Sequence, residues 1–202
     1  MNVYTVSDNT SFDRHWTTAA SIHSRSRMVK WSCSDCGTSA SYPAGAFDVT
    51  IEGGMDYPDC LSCGVYPLKI FSERVIAAWE ENGIGPLVKF PIGVIAARET
   101  ALSPRDAPRY FRVEVAGAIM VDIPGSGGCF TRFCARCGSF MTEPMLIRTF
   151  TFHAGSWDGS SLFRDQRILP RVVFCTEAVK VLSEVERHTN CRFEAMVPTS
   201  DP

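Results

Sequence analysis

The stretch Cys33–Gly37 reads CSDCG, and the same pattern of two cysteines, two intervening residues and a closing glycine occurs twice more. It returns as CLSCG at Cys60–Gly64 and as CARCG at Cys134–Gly138. Two thiolates separated by two residues, on a turn that glycine can carry through positive φ, form half of a tetrahedral metal site. Zinc is the usual ion in sites made only of thiolates. The repeated pattern therefore predicts zinc knuckles, that is, turns that each supply two cysteine ligands to Zn²⁺.

A redox role is the alternative for any one of these pairs. A thioredoxin-like pair lies after a strand and opens a helix. Here a glycine follows the second cysteine in all three copies, and Pro43 and Pro67 follow the first two copies closely. Both residue types oppose a helix at these places, so the pattern favours metal binding.

The pairing of the cysteines is open at this point. One closed set joins the first two pairs, which are nearest in sequence. The third pair would then need a further ligand, and Cys129 is the best candidate for it. In the alternative, the third pair completes a site with one of the first two. The predicted metal ligands are Cys33, Cys36, Cys60, Cys63, Cys134 and Cys137. We expect Cys175 and Cys191, at apolar positions, in the core.

Composition and charge are those of a globular protein with an ordinary core. Of 202 residues, 45% are hydrophobic and 21% are charged, and the formal net charge is -2, so no strong field attracts nucleic acid or an anionic membrane. The first residues lack a basic segment followed by an apolar core, and Lys89 and Pro91 interrupt the longest apolar run. We therefore expect a cytoplasmic protein with no membrane partner, in which an odd number of cysteines, nine, stays reduced.

Two segments of the chain share an order of features. Ser72–Glu73 aligns with Thr176–Glu177, and each pair opens an amphipathic helix that a turn and a strand follow. Each segment also lies downstream of a CxxCG motif. This order predicts an internal duplication of knuckle, helix and strand, although any capped helix before a strand gives a similar pattern.

The pattern as a whole predicts a small α+β domain with mainly antiparallel strands, two short helices and zinc knuckles. The clearest strand is the alternating stretch that begins at Tyr110. We predict an N-terminal half, residues 1–97, with two CxxCG motifs, and a C-terminal half, residues 98–202, with the third. The two halves are expected to form one compact unit.

Signatures of catalysis are missing from the sequence. There is no HExxH motif, and the glycine-rich residues 123–128, IPGSGG, lack the Lys-Ser/Thr of a phosphate-binding loop. Cys191 with His188 is the remaining nucleophile pair, but such pairs are assembled in space, so nearness in sequence is a weak argument. We predict that the protein is not an enzyme.

Nucleic-acid binding is an alternative function, because zinc ribbons often bind nucleic acids. The residues before the first motif include Arg25, Arg27, Lys30 and Trp31, which could contact phosphates and stack on a base. Three cations are few, and 22 acidic residues exceed 20 basic ones. A solvated surface is therefore the preferred interpretation, and an accessory role in transcription or translation is the alternative.

Four sequence segments can be compared with known families by their order: WSCSDCGTSASYP at 31–43, FCARCGS at 133–139, WDGSSLFR at 157–164 and FCTEAVKVLSEVERHTNCRFEAM at 174–196. In this order the sequence resembles the double-CXXCG-motif family, first noted as a paralogous set in myxobacteria. Some members are named as immunity proteins for polymorphic toxins of the swarming-inhibition type. The resemblance matches the two family motifs to the first and third cysteine pairs. The pair Cys60 and Cys63 is a departure, a third motif that the family pattern does not count.

The resemblance implies a binding protein, an immunity protein that blocks one cognate toxin while zinc keeps a small scaffold rigid. Two loops are candidate recognition surfaces, residues 98–109 and 154–166. Trp157, Asp158 and Phe163 are the aromatic and acidic groups that commonly anchor interfaces. In the alternative, Trp157 and Phe163 attach their loop to the core.

Overall fold

A computed structural model describes residues 2–8, 15–16, 18–22, 26–37, 39–63, 68–122, 125–126, 130–133, 140–142, 150–165 and 173–199. Within these ranges the strands are β1 Val3–Asp8, β2 Thr18–Ile22, β3 Met28–Ser32, β4 Ser39–Pro43, β5 Phe47–Glu52, β6 Cys60–Cys63, β7 Leu68–Ser72, β8 Leu87–Arg98, β9 Tyr110–Val115, β10 Gly117–Ala118, β11 Val121–Asp122, β12 Phe130–Phe133, β13 Phe140–Thr142, β14 Thr151–His153, β15 Leu162–Arg164, β16 Val173–Thr176, β17 Cys191–Ala195 and β18 Val197–Thr199. The helices are α1 Glu73–Glu81 and α2 Glu177–Val185, with short 3-10 turns at Pro104–Asp106 and Ala154–Ser156.

Six strands form a closed barrel in the order β2-β5-β8-β9-β7-β6. The pairs β5–β8 and β2–β6 are parallel, and the other neighbours are antiparallel. Helix α1 connects β7 to β8, which both run antiparallel to β9. The hairpin β3–β4 is inserted between β2 and β5 and forms a two-stranded sheet of its own.

The second part of the chain repeats this order of strands. A five-stranded sheet has the order β10-β15-β16-β1-β17, and a three-stranded sheet has the order β11-β14-β18. Only residues 119–120 separate β10 from β11, and only Met196 separates β17 from β18, so the same two segments continue from one sheet to the other. The strands correspond to those of the barrel, with β14 in the place of β5, β15 of β6, β16 of β7, β17–β18 of β8 and β1 of β9. Corresponding neighbours run in the same relative sense.

The N-terminal strand β1 belongs to the sheet of the second unit. Strand β1 precedes the barrel in sequence but pairs with β16 and β17 of the second unit. The barrel itself continues to β9, beyond the division at residue 97 that the sequence suggested. One core cluster contains Val75 and Trp79 of α1 together with Val6, Val173 and Val179 of the second unit. The barrel strands β2 to β9 are therefore contiguous in sequence, whereas the second unit includes β1 from the N-terminal end of the described chain.

The helices form where local sequence signals place them. In α1 the Ser72 side chain accepts a hydrogen bond from Val75 N, and Val75, Ile76 and Trp79 face the core. Helix α2 begins after Thr176 and buries Val179. These elements confirm a small α+β fold with two short helices among the described residues and mainly antiparallel pairing. In the described part of the chain, neither helix has the length and apolar character needed to cross a membrane.

Candidate functional site

The first CxxCG motif forms the turn of a β-hairpin. Strands β3 and β4 are paired up to Ser32 and Ser39, and residues 34–36 make the turn between them. Gly37 has φ +72°, and its N–H donates a hydrogen bond to the carbonyl of Cys33 at 3.0 Å. An added Cβ at Gly37 would meet no atom within 4 Å, so the backbone conformation, not space, requires glycine. The turn brings buried Cys33 and half-buried Cys36 to one end of the hairpin.

The second motif has a different geometry, because Cys60 and Cys63 lie in the extended strand β6. Residues three apart on a strand point to opposite faces. Cys60 accordingly packs in one hydrophobic cluster with Val75, and Cys63 packs in another with Leu61 and Val49. Burial raises the pKa of Cys63 to about 11. The pair therefore lacks the shared face that a knuckle needs.

The third motif lies in sequence between two strands that correspond to the strands around the first. Strands β12 and β13 form an antiparallel two-stranded sheet, as β3 and β4 do, with Phe133 opposite Phe140. Cys134 and Cys137 fall between these strands in sequence and lie outside the described residues, as does Cys129. Among the residues that the structure describes, no three His, Cys, Asp or Glu side chains are placed to hold a metal ion.

The two remaining described cysteines belong to the core. Cys175 is fully buried and Cys191 packs beside it in the same cluster. Burial raises the pKa of Cys175. The imidazole of His188 has its Nδ1 at 2.9 Å from Ser183 Oγ, so Ser183 and not Cys191 is the partner of that nitrogen. Burial also lowers the pKa of His188.

The predicted recognition loop at 154–166 is divided between surface and core. Trp157 is half-buried, and its Nε1 donates to the carbonyl of Ser160 at 2.9 Å. Asp158 is exposed, but its carboxylate accepts from Ala118 N at 2.8 Å and from Ser160 N at 3.0 Å. Phe163 is fully buried in a core cluster, so it presents no surface to a partner. Only Trp157 and Asp158 of the three predicted anchors are accessible.

The second predicted loop, residues 98–109, is mostly exposed and is held at both sides. Tyr57 Oη donates to the carbonyl of Ser103 at 2.7 Å. Arg109 forms an ion pair with Glu73 at the start of α1. Arg105 and Asp106 project from the 3-10 turn between these contacts, and both are exposed. This loop is therefore fixed by contacts at both sides and exposes Arg105 and Asp106 to solvent.

The basic stretch before the first motif is described in part. Arg27 and Lys30 are exposed on the β3 side of the hairpin. Arg25 and the side chain of Trp31 lie outside the described residues.

The main polar site that sequence reasoning missed is the buried carboxylate of Asp59. It accepts hydrogen bonds from Ser72 Oγ at 2.6 Å, from the guanidinium of Arg74, from Thr189 N at 2.7 Å and from Thr189 Oγ1 at 2.9 Å. Burial by itself raises the pKa of Asp59, but the hydrogen bonds from Arg74, Ser72 and Thr189 outweigh it and hold the pKa below its usual range. The carboxylate therefore stays ionised in the interior.

This cluster joins the two units. Ser72 and Arg74 belong to the start of α1, while Thr189 follows α2. Arg74 also donates to the carbonyls of Glu186 and Arg187, at 2.9 and 3.1 Å, at the end of α2. No local pattern marks Asp59 as the partner of a residue 130 positions away, so the sequence alone offers no signal for it.

No protein-family model matches this chain, and no curated protein matches its sequence.

Proposed function

We propose that this chain is a zinc-stabilised binding protein, an immunity protein that binds and neutralises one cognate toxin in the cytoplasm. The observation that supports it best is the hairpin turn at Cys33–Gly37, which has the glycine conformation and the cysteine spacing of a zinc knuckle. The order of landmarks shared with the double-CXXCG-motif family supplies the immunity role.

The ligand set we propose is Cys33, Cys36, Cys134 and Cys137. The repeat of strand order supports this pairing, because the two motifs fall between corresponding strands of two corresponding hairpins. The four-thiolate donor set suits zinc, which would cross-link the two hairpins and stabilise the folded chain directly. Cys60 and Cys63 take no part in the proposed site, because they pack in separate core clusters.

The same repeat supports an internal duplication of knuckle hairpin, helix and strand. Ser72 and Thr176 hold corresponding positions at the starts of α1 and α2. In register, Cys60 opposes Phe71 in the first unit and Leu162 opposes Cys175 in the second, so Leu162 corresponds to Cys60. Leucine is an ordinary core residue, so its presence at the corresponding position supports a core role for Cys60.

Metal content tests the proposed site. Native mass spectrometry of the full chain is expected to show zinc in the wild-type protein, its loss in Cys36→Ser, and its retention in Cys63→Ser. Loss in Cys63→Ser with retention in Cys36→Ser would reverse the ligand assignment, and a wild-type protein without metal would refute the zinc site.

Co-expression with the toxin encoded by the neighbouring gene tests the binding role separately. We expect the chain to protect the cells and to be captured with the toxin. Trp157→Ala should weaken capture at a temperature well below its melting temperature, which is expected to fall because the ring also packs against the core. Met55→Ala, at an exposed methionine elsewhere, is the control for an unrelated surface change. If the chain neither binds nor protects, the immunity role is wrong, whatever the metal content.

A further inference from the structure

The outward face of helix α2 carries apolar side chains. Val181 and Val185 lie about one turn apart and are 46% and 69% exposed. Ala178 is also exposed and lies on the same face, because residues three, four and seven positions apart are neighbours along a helix. The opposite side of α2 buries Val179 but also the polar Ser183. A helix on a protein surface normally directs charged or polar side chains outward, so the face formed by Ala178, Val181 and Val185, here the α2 face, is unusual.

Helix α1 provides an internal comparison for the α2 face. Both helices have nine residues, and they start at the corresponding residues Ser72 and Thr176. The three corresponding positions of α1 are exposed as well and hold an arginine, an alanine and a glutamate: Arg74, Ala77 and Glu81. Valine has a lower helix propensity than any of these residue types. Neither the fold nor helix formation therefore accounts for the two exposed valines of α2.

The α2 face lies beside the loop 154–166, which the sequence predicts as a recognition surface. The N–H of Thr176 donates to the carbonyl of Ser161 at 3.0 Å, so this loop is bonded to the residue at which α2 starts. The same loop presents half-buried Trp157 and exposed Asp158. The loop and the α2 face therefore adjoin at the start of the helix.

Acidic groups predominate around the α2 face and the adjoining loop. Lys180 pairs with Glu184 at 2.8 Å, and Arg74, at the far end of α2, is paired with Asp59. A partner with lysine or arginine beside its apolar groups would meet a complementary charge here, whereas a second copy of this chain would bring two acidic surfaces together. The other charged residues around the face are four acidic and one basic: Asp158, Glu177, Glu184 and Glu186 against Arg187.

We propose that the α2 face is the centre of the surface that binds the cognate toxin, and that the toxin presents apolar side chains bordered by lysine or arginine. This inference rests on the proposed immunity function and adds to it the place of the interface and the chemistry of the partner. An apolar centre with a polar rim is the usual arrangement of a protein interface. Complementary charges at the rim chiefly provide specificity and speed the association.

The test is the affinity of the purified full chain for the toxin encoded by the neighbouring gene, measured by isothermal titration calorimetry. Val185→Ala removes apolar area from the α2 face and raises the helix propensity, so the fold is expected to be retained. Its affinity should fall about tenfold, the effect of losing two buried methyl groups. Val88→Ala makes the same change at a valine of β8 that is 55% exposed, and it should bind as wild type does.

A pair of charged variants tests the chemistry of the partner. Val185→Glu and Val185→Lys place opposite charges at one position, and α1 already carries a glutamate at the corresponding position, Glu81. Because a basic partner repels lysine, Val185→Lys should bind at least tenfold more weakly than Val185→Glu at low salt. Equal affinities, or the reverse order, would show that the partner is not basic and would overturn the proposal.

The outcomes separate this inference from the function on which it rests. If wild type binds the toxin and Val185→Ala binds equally well, the α2 face is not the interface, and the immunity role stands. If wild type neither binds nor protects, the immunity role is wrong and the inference fails with it. Sedimentation velocity of the chain alone should show a monomer, and a dimer that Val185→Lys disperses would assign the face to a second copy instead.

Discussion

Replacing Asp59 with asparagine removes the charge from the cluster that joins the two units and keeps the size of the side chain. The carboxylate Oδ1 accepts from Ser72 Oγ and Arg74 Nε, and Oδ2 accepts from Arg74 and from two groups of Thr189. The most favourable orientation of the asparagine side chain points its oxygen toward Arg74 and Thr189. Its amide N–H₂ then faces the hydroxyl of Ser72, which can rotate to accept, and Arg74 Nε–H, which cannot.

The expected loss follows from these contacts. A hydrogen bond to a charged group contributes about 1.5–3 kcal/mol, and charge roughly doubles the strength of the others that remain. The side chain of Arg74 is 49% exposed, so water replaces part of what it loses. We expect Asp59→Asn to lower the free energy of unfolding by about 2–3 kcal/mol, below the ~3–5 kcal/mol of a fully buried broken ion pair.

Urea denaturation at neutral pH measures this difference. Asp56→Asn is the matched control, since Asp56 forms an ion pair with His15 but its side chain is 61% exposed, and its loss should be under about 0.5 kcal/mol. Equal stability of the two variants would refute the reasoning.

The same comparison has a predicted pH dependence. The folded-state pKa of Asp59 lies below its usual value, so its contribution is complete above the unfolded pKa of about 4 and is lost as the pH falls through the folded pKa. The gap between wild type and Asp59→Asn should therefore shrink as the pH is lowered below about 4. A gap that widened there would contradict the assigned direction of the shift.

Three further substitutions test the helix starts and the core. Ser72→Ala should cost about 1–2 kcal/mol, because the hydroxyl both caps α1 and donates to Asp59. Thr176→Val at the corresponding position should change stability by under about 0.5 kcal/mol or raise it, since Thr176 Oγ1 is buried and has no hydrogen-bond partner in the described part of the chain. Thermal denaturation measures the stability of both variants. Equal losses of stability would contradict the conclusion that Ser72 caps its helix and Thr176 does not. Phe163→Ala should cost about 3–5 kcal/mol as a fully buried aromatic, and a loss under about 1 kcal/mol would show that this ring is not part of the core.

The local signals in the sequence predicted the helices well. The cap at Ser72, the alignment of Ser72 with Thr176 and the apolar stripes of both helices all depend on residues within one or two turns. The same holds for the turn at Gly37, because the turn requires a positive φ and glycine adopts it without steric cost. Such features can be read from a sequence because the interacting groups are neighbours along the chain.

The second cysteine pair shows where local reasoning ends. CLSCG carries the spacing of CSDCG, but Leu61 and Cys63 are buried on one face of a strand, while Ser34 and Asp35 are exposed in a turn. An apolar residue between the cysteines was the available signal. The pairing of β6 with β7 and β2 decides the matter, since it holds the motif extended.

The sequence by itself determined the local elements: the α+β class, two short helices, the cap of the first at Ser72, the glycine-dependent turn and the repeated order of motifs. Only the tertiary structure decided the contacts between distant residues: β1 closing the sheet of the second unit, Asp59 meeting Thr189, and the start of α2 lying beside the loop 154–166. The physical reason is the range of the forces involved. Capping and turn conformation act over a few residues, whereas strand pairing and burial depend on which parts of the chain the whole fold brings together.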